Sequence, residues 1–173
     1  HPLHCYTLVK DHTPEVSRCA QGLQLATQDN TFFNFTASPD GIGVRPLEGI
    51  LQPEELADLI EIVNANGGHF SYKQNPDGTD SPYELNITYV DAILADKNAT
   101  RADKVLASQA IQYVLPGVPA TYIHSLVGSR NWTEGVEQTG RARTVNREKL
   151  QIEEIIEELK NPESFRSRVF FPY

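Results

Sequence analysis

Only two segments of this 173-residue chain are predicted to be strands of a parallel sheet. Residues 31–36 are rich in phenylalanine, and residues 118–126 are mainly apolar and β-prone. Four helices alternate with these segments and are predicted to begin near Pro14, Pro53, Asp103 and Asn146. Such alternation predicts parallel βα units, so the predicted fold class is α/β. Because two strands leave two unpaired edges, we expect an incomplete sheet that associates with itself or with a complementing chain.

A hairpin is predicted between the second and third helices. Residues 69–73 and Tyr83–Tyr89 have the composition of two short strands, and the sequence Asn75–Gly78 between them favours a turn. We therefore expect residues 69–89 to form an inserted hairpin. In the helices, apolar residues that repeat at helical spacing are expected to face the core. In the last helix these residues are Ile152, Ile155, Ile156 and Leu159.

The charge and the apolar pattern of the chain exclude several classes of protein. Its 23 acidic and 15 basic residues give a net charge of −8, which argues against a nucleic-acid-binding surface. No apolar run approaches the roughly 20 residues that span a bilayer, which excludes a membrane protein. The first ten residues lack a signal-peptide pattern, so a cytoplasmic protein is expected. Cys5 and Cys19 are not spaced for zinc and are expected to be reduced, with Cys19 on the apolar face of the first helix. We expect neither a metal nor a cofactor.

Polar residues follow each of the two predicted parallel strands. Ser38–Gly41 is most simply a turn on spacing alone, and a second Pro-Asp-Gly at residues 76–78 shows that the tripeptide is weak evidence. The alternative is that Asp40 lies at the carboxyl end of a βα strand, where catalytic groups project in α/β barrels. After the second strand come Arg141, Arg143 and Arg147. Arginines in such a loop can bind sugar hydroxyls or phosphate, while Asn146 beside them is a natural helix cap.

Other polar residues have simpler interpretations. His124 is more often a hydrogen-bonded structural histidine than a base, and Trp132 is either a loop anchor or a platform for stacking a sugar. Asn-x-Ser/Thr sequons occur at Asn34, Asn86, Asn98 and Asn131. Asn34 lies inside a strand that is predicted to be buried, which argues against a glycan there.

Four segments, in their order along the chain, resemble the sucrose phosphorylase branch of the α-amylase superfamily, which includes glucosylglycerate phosphorylase-like enzymes. Residues 33–43 resemble the seventh-strand motif and residues 81–89 resemble the substrate loop. Residues 117–126 resemble the eighth strand, and residues 140–149 resemble the stretch that follows it. The resemblance implies a partial (β/α)8 TIM barrel: strands seven and eight with their helices and the inserted hairpin. On this view residues 1–173 are a C-terminal fragment of the catalytic barrel.

The resemblance also implies a reaction and a set of site residues. The family cleaves a small α-glucoside such as sucrose or glucosylglycerate with inorganic phosphate, with retention, to give α-glucose 1-phosphate. A carboxylate nucleophile and a glutamic acid carry out the bond exchange. By position, Asp40 matches the third carboxylate, which stabilises the transition state, and Arg147 matches the arginine that holds the donor glucose. Tyr83 and Glu84 match the mobile loop that contacts acceptor or phosphate, with Glu84 where some relatives have Gln.

Two departures from the family pattern matter for activity. Pro39 stands where the family has a histidine that donates to a glucose hydroxyl, and the loss of that bond is expected to cost about 1–3 kcal/mol. The nucleophile and the acid/base belong to the fourth and fifth strands, which the chain does not contain. We therefore expect the fragment alone to be inactive. The alternatives are a non-catalytic sugar-binding module and the C-terminal piece of a split enzyme that needs a partner chain.

Overall fold

The computed structural model describes residues 1–95 and 100–173, which form nine α-helices, two 3₁₀ helices and five strands. The α-helices are α1 (Pro2–Lys10), α2 (Pro14–Gln21), α3 (Pro53–Ala65), α4 (Tyr89–Leu94), α5 (Ala102–Val114), α6 (Ile123–Leu126), α7 (Thr133–Thr139), α8 (Ile152–Leu159) and α9 (Phe165–Phe170). The strands are β1 (Phe33–Asn34), β2 (Ile42–Gly43), β3 (His69–Gln74), β4 (Asp80–Asn86) and β5 (Val118–Pro119). The 3₁₀ helices span Arg45–Leu47 and Ala142–Asn146.

The predicted parallel pair is present, but its strands are shorter than expected. β1 and β5 pair in parallel, with Phe33 beside Val118. The prediction that residues 118–126 form one strand is wrong, because their second half is helix α6. The backbone N–H of Leu126 donates to the carbonyl of Tyr122 at 3.2 Å, and this bond closes a helical turn instead of extending the ladder. His124 therefore lies on a helix and not on the second strand.

A second sheet is antiparallel, with the strand order β2, β4, β3. β3 and β4 pair around a turn in which the N–H of Asn75 donates to the carbonyl of Thr79 at 2.7 Å. The strand predicted at residues 83–89 instead spans Asp80–Asn86, because Thr88 caps the following helix and Tyr89 begins it. β2 had not been predicted; its two residues become a strand only by pairing with β4.

The core lies between the antiparallel sheet and helices α1, α3, α4 and α5. Its largest fully buried side chains include Leu47, Leu59, Val63, Leu85, Ile87, Ile93 and Val105. Outside this core, several predictions of burial are wrong. Cys19 is exposed, and in α8 Ile152 and Ile156 keep 59% and 50% of their surface exposed. Periodicity shows which side chains share a helix face, but it does not supply the element that would cover that face.

A buried polar network ties the start of α4 to the loop after α6. Asp91 is only 3% exposed, pairs with Arg130, and accepts from the backbone N–H of Asn131 at 2.6 Å. The side-chain oxygen of Asn131 accepts from the N–H of Thr88 at 2.9 Å, and its amide donates to the carbonyl of Asn66. Each charged group of this network therefore has a partner, which is the condition for burying it.

The sequon asparagines of the described residues have structural roles. The side-chain amide of Asn34 donates to the carbonyls of Leu115 and Pro116, and that of Asn86 donates to Ser71 in the hairpin. Asn131 belongs to the network above, and Asn98 lies outside the described residues. A glycan on Asn34, Asn86 or Asn131 would break the hydrogen bonds of that side chain. Across residues 1–95 and 100–173, the structure contains no helix with the length and apolar character needed to cross a membrane.

Candidate functional site

Asp40 lies in the loop that follows β1, and Gly41 sets its position. A Cβ on Gly41 would lie closer to the Leu85 carbonyl oxygen and to the Glu84 Cγ than van der Waals contact allows, so the loop lies directly against β4. Gly78 in the second Pro-Asp-Gly has a φ of 84°, as hairpin turns require. The two tripeptides therefore differ: the second forms a turn, and the first allows a close approach of two backbones.

Asn146 holds the backbone of the Asp40 loop from the other side. It is 5% exposed, and its side-chain amide donates to the carbonyls of Ser38 and Asp40. Its own carbonyl accepts from the hydroxyl of Tyr122 at 2.8 Å. Asn146 ends a 3₁₀ helix here, so the prediction that it caps the helix with the apolar face of Ile152–Leu159 is wrong. That helix is α8, and it begins at Ile152.

Arg147 and Asp40 are in contact although 107 residues separate them. The Arg147 Nη2 lies 2.9 Å from the Asp40 Oδ1, and its Nε donates to the Pro39 carbonyl at 2.7 Å. The Asp40 side chain is 56% exposed and that of Arg147 is 44% exposed. The two side chains therefore hold each other in place, and about half of the surface of each remains open to solvent.

Arg143 joins this pair to Glu84 on β4. Its Nε and Nη2 lie 2.9 Å and 2.8 Å from the two carboxylate oxygens of Glu84, while its Nη1 lies 3.1 Å from the Asp40 Oδ1. The hydrogen bonds to Glu84, and then the charge of Glu84, raise the pKa of Arg143 above its ordinary value. Glu84 is 5% exposed, whereas its neighbour Tyr83 is 41% exposed. Three of the four predicted site residues thus meet through Arg143, and the fourth lies beside them on the chain.

Sequence reasoning placed Arg143 in a cluster of arginines but did not predict its partners. It also missed the role of Asn146 as a clamp on the Asp40 loop. No local signal pairs Glu84 with Arg143, because the two lie 59 residues apart and on different elements. The two carboxylates and two guanidiniums of Asp40, Glu84, Arg143 and Arg147 balance in formal charge.

The exposed part of the site can bind a neutral, hydroxyl-rich ligand. The carboxylate of Asp40 accepts hydrogen bonds, and the guanidinium of Arg147 donates them, so adjacent hydroxyl groups can bridge the pair. Beside them lies a cleft of about 210 Å³, lined by Phe35, Pro39 and Tyr122 among others. Burial raises the pKa of Tyr122, and its hydroxyl is already engaged by the carbonyl of Asn146, so Tyr122 contributes mainly its ring to this cleft.

No family model matches the chain. The glucosylglycerate phosphorylase of Spirochaeta thermophila is 54% identical over 145 residues, which cover 83% of this chain and 24% of that protein. The glucosylglycerate phosphorylase of Escherichia coli is 40% identical over 171 residues, which cover 98% of this chain and 31% of that protein. The chain is homologous to part of the glucosylglycerate and sucrose phosphorylases.

A solved structure leads to the same group of enzymes. Sucrose 6F-phosphate phosphorylase from Thermoanaerobacter thermosaccharolyticum matches 96% of this chain with a TM-score of 0.78 and 25% identity. The α/β fold class and the resemblance drawn from the four motif segments are therefore confirmed. The chain covers 24% to 32% of the curated phosphorylases that are 40% identical to it or more, and it corresponds to their C-terminal part.

Two further residues singled out in the sequence have structural surroundings. His124 is 7% exposed, and its Nδ1 lies 2.9 Å from the hydroxyl of Ser129. Burial, aided by the charge of Arg166, lowers the pKa of His124, which favours the interpretation as a structural histidine. Trp132 packs its indole against Gly135, at which a Cβ would collide with the ring, so it anchors the loop.

Proposed function

We propose that this chain forms the seventh and eighth βα units of the (β/α)8 barrel of a retaining glycosyl phosphorylase. The reaction would transfer glucose from a small α-glucoside, such as glucosylglycerate or sucrose, to inorganic phosphate. The contact between Asp40 and Arg147 carries this proposal, because one residue follows β1 and the other follows β5. Ligands bind at the carboxyl ends of parallel strands in folds of this kind.

In the proposed reaction these residues bind and orient the glucosyl group. Asp40 would accept hydrogen bonds from hydroxyls of the glucosyl ring, and its negative charge would stabilise the positive charge that develops at the anomeric carbon. Arg147 would donate hydrogen bonds to the same ring and hold Asp40 in place. Tyr83, which is exposed on strand β4 of the hairpin, would contact the acceptor or phosphate.

Glu84 would act differently from Tyr83. Both of its carboxylate oxygens are engaged by Arg143, so we assign it the role of holding Arg143 rather than touching the acceptor. Arg143 in turn reaches Asp40, which connects the hairpin with the donor side of the site. Pro39 offers no side-chain donor, so binding of the glucosyl group would lack one hydrogen bond worth about 1–3 kcal/mol.

Retaining transfer needs a nucleophile and an acid/base about 5 Å apart, and both carboxylate oxygens of Glu84 are already engaged by Arg143. We therefore propose that the bond exchange depends on a complementing polypeptide that carries those two carboxylates. Self-association of this chain is the alternative. A non-catalytic sugar-binding module is the second candidate function, because the Asp40 and Arg147 side chains are about half exposed in this chain by itself.

The test is phosphorolysis by this chain co-expressed with the portion of the Spirochaeta thermophila enzyme that precedes the matched segment. We expect glucose 1-phosphate release from glucosylglycerate with both parts and none from either alone. Asp40→Asn should abolish most of the release, and Asp77→Asn, in the other Pro-Asp-Gly, should not. Release by this chain alone would overturn the need for a partner. Glucose binding by the chain alone, without release by the pair, would favour the sugar-binding module.

A further inference from the structure

Pro39 lies directly beside the Asp40–Arg147 pair and is exposed there. Its carbonyl oxygen already accepts from the Nε of Arg147 at 2.7 Å. A proline has no backbone N–H group, and its side chain carries only carbon atoms. Pro39 therefore offers no hydrogen-bond donor to a ligand that the pair holds.

The side chains around this proline do not supply the missing donor. In the adjacent cleft, the described lining residues that carry a hydroxyl are Ser38, Thr121 and Tyr122. The Ser38 hydroxyl accepts from the Asp40 N–H at 3.3 Å, and that of Tyr122 donates to the Asn146 carbonyl at 2.8 Å. The Thr121 hydroxyl lies within 3.0 Å of two tyrosine hydroxyls. The other described residues that line this cleft are apolar, so this side of the site presents mainly carbon to a ligand.

The hydrogen-bond donors beside Asp40 are two guanidinium groups. Arg143 and Arg147 both contact the Asp40 carboxylate, so a sugar hydroxyl that reaches this carboxylate finds an acceptor and a donor together. A hydroxyl that faces Pro39 instead gives up its hydrogen bonds to water without replacement. A hydrogen atom at the same place on the sugar has no such bonds to lose.

This difference determines which sugars the site can reject. A site that hydrogen-bonds a substrate hydroxyl rejects an analogue without it, because a polar group of the protein is then left unpaired. At Pro39 no polar group of the protein is left unpaired when the hydroxyl is absent. We propose that Pro39 is a specificity-determining residue, which lets this site hold a glucosyl group that lacks one hydroxyl as well as it holds glucose. The inference rests on the proposed function for the assignment of the glucosyl group to Asp40 and Arg147.

The experiment measures, by calorimetry, the binding of glucose 1-phosphate and of its 2-, 3-, 4- and 6-deoxy analogues. The protein is this chain co-expressed with the portion of the Spirochaeta thermophila enzyme that precedes the matched segment. We expect one analogue to bind within about 3-fold of glucose 1-phosphate. At least one other should bind about 10-fold or more weakly, because it leaves Asp40 or Arg147 unpaired.

Variants of Pro39 test whether this residue sets the preference. Pro39→His adds a side-chain N–H, so it should weaken binding of the well-bound analogue by about 10-fold relative to glucose 1-phosphate. The controls are Pro39→Phe, which adds a ring without a donor, and Pro76→His in the other Pro-Asp-Gly. Both should keep that ratio within about 2-fold of the parental value. Pro39 and Pro76 are exposed, so the three variants should remain folded.

Three outcomes would overturn the proposal. These are a parent that binds all four analogues alike, whether strongly or weakly, equal effects of Pro39→His and Pro39→Phe, and no binding of any of the compounds. The proposed function is tested separately, by phosphate release when glycerate is added as the acceptor. The expected pattern of binding without phosphate release would refute the proposed function and leave the role of Pro39 intact. Phosphate release by a parent that rejects all four analogues would do the reverse.

Discussion

Replacing Gly41 by alanine should destabilise the protein, and replacing Gly43 should not. A Cβ at residue 41 would collide with the carbonyl oxygen of Leu85, which belongs to a paired strand and cannot swing aside as a side chain can. At Gly43, two residues further on, the added Cβ meets nothing within 4 Å. Neither glycine has a positive φ, so alanine fits the backbone at both positions and only the collision differs.

The size of the effect follows from the cost of forcing an extra carbon into a packed contact. Overpacking of this kind costs about 1–3 kcal/mol. At about 2 kcal/mol, the melting temperature of a chain of this size should fall by about 4–8 °C. Gly43→Ala should be neutral or should stabilise by up to about 1 kcal/mol, because alanine restricts the unfolded chain.

The assay is urea and thermal unfolding of the parent and of both variants, followed by circular dichroism. A variant Gly41→Ala as stable as Gly43→Ala would show that residues 39–41 form an ordinary turn. The close contact of the Asp40 loop with β4 would then not hold the site, and Gly41 would not be what places Asp40 beside Glu84 and Arg143.

Three other outcomes are expected. In urea titrations, Asn146→Ala should lower the free energy of unfolding by about 1–3 kcal/mol, because the carbonyls of Ser38 and Asp40 lose their donor. The control is Asn64→Ala at an exposed position, which removes no such bond and should leave the free energy of unfolding unchanged. Burial lowers the pKa of His4 from 6.5 to about 4, so between these pH values only the unfolded chain binds a proton at this residue. The free energy of unfolding should therefore fall as the pH drops from 6.5 to 4. In the variant His4→Phe, the free energy of unfolding should depend less on pH over this range. Burial raises the pKa of Cys5 to about 12, so peptide mass spectrometry should find iodoacetamide on exposed Cys19 and, before unfolding, none on Cys5.

The sequence predicts where α2, α3 and α5 begin, but it misses several shorter helices and predicts the burial of helix faces poorly. Prolines at 14 and 53 mark helix starts, and α2 and α3 begin at those residues. These signals are local and act through backbone geometry. Burial depends instead on what packs against a face. Ile152 of α8 shows this, because its helix is clearly amphipathic yet the described part of the chain leaves that residue 59% exposed.

The candidate site could be predicted only in part and only through resemblance. The motif positions pointed to Asp40 and Arg147, whereas no rule of spacing brings residues 107 apart into contact. The ion pair of Arg143 with Glu84 was not predicted at all, since it depends on the register of β4 against the Asp40 loop. Resemblance to a family assigns a role to each residue separately. Which of these side chains contact one another is seen only in the folded structure.

Covalent trapping tests the central claim most directly, namely that this chain orients a glucosyl group while its complement forms the bond. The co-expressed pair would be treated with an activated α-glucosyl fluoride, quenched in acid, and each polypeptide weighed by intact-mass spectrometry. We predict one added glucosyl group on the complementing polypeptide and none on the 173-residue chain. A glucosyl group attached to this chain, at Asp40 or elsewhere, would contradict the account.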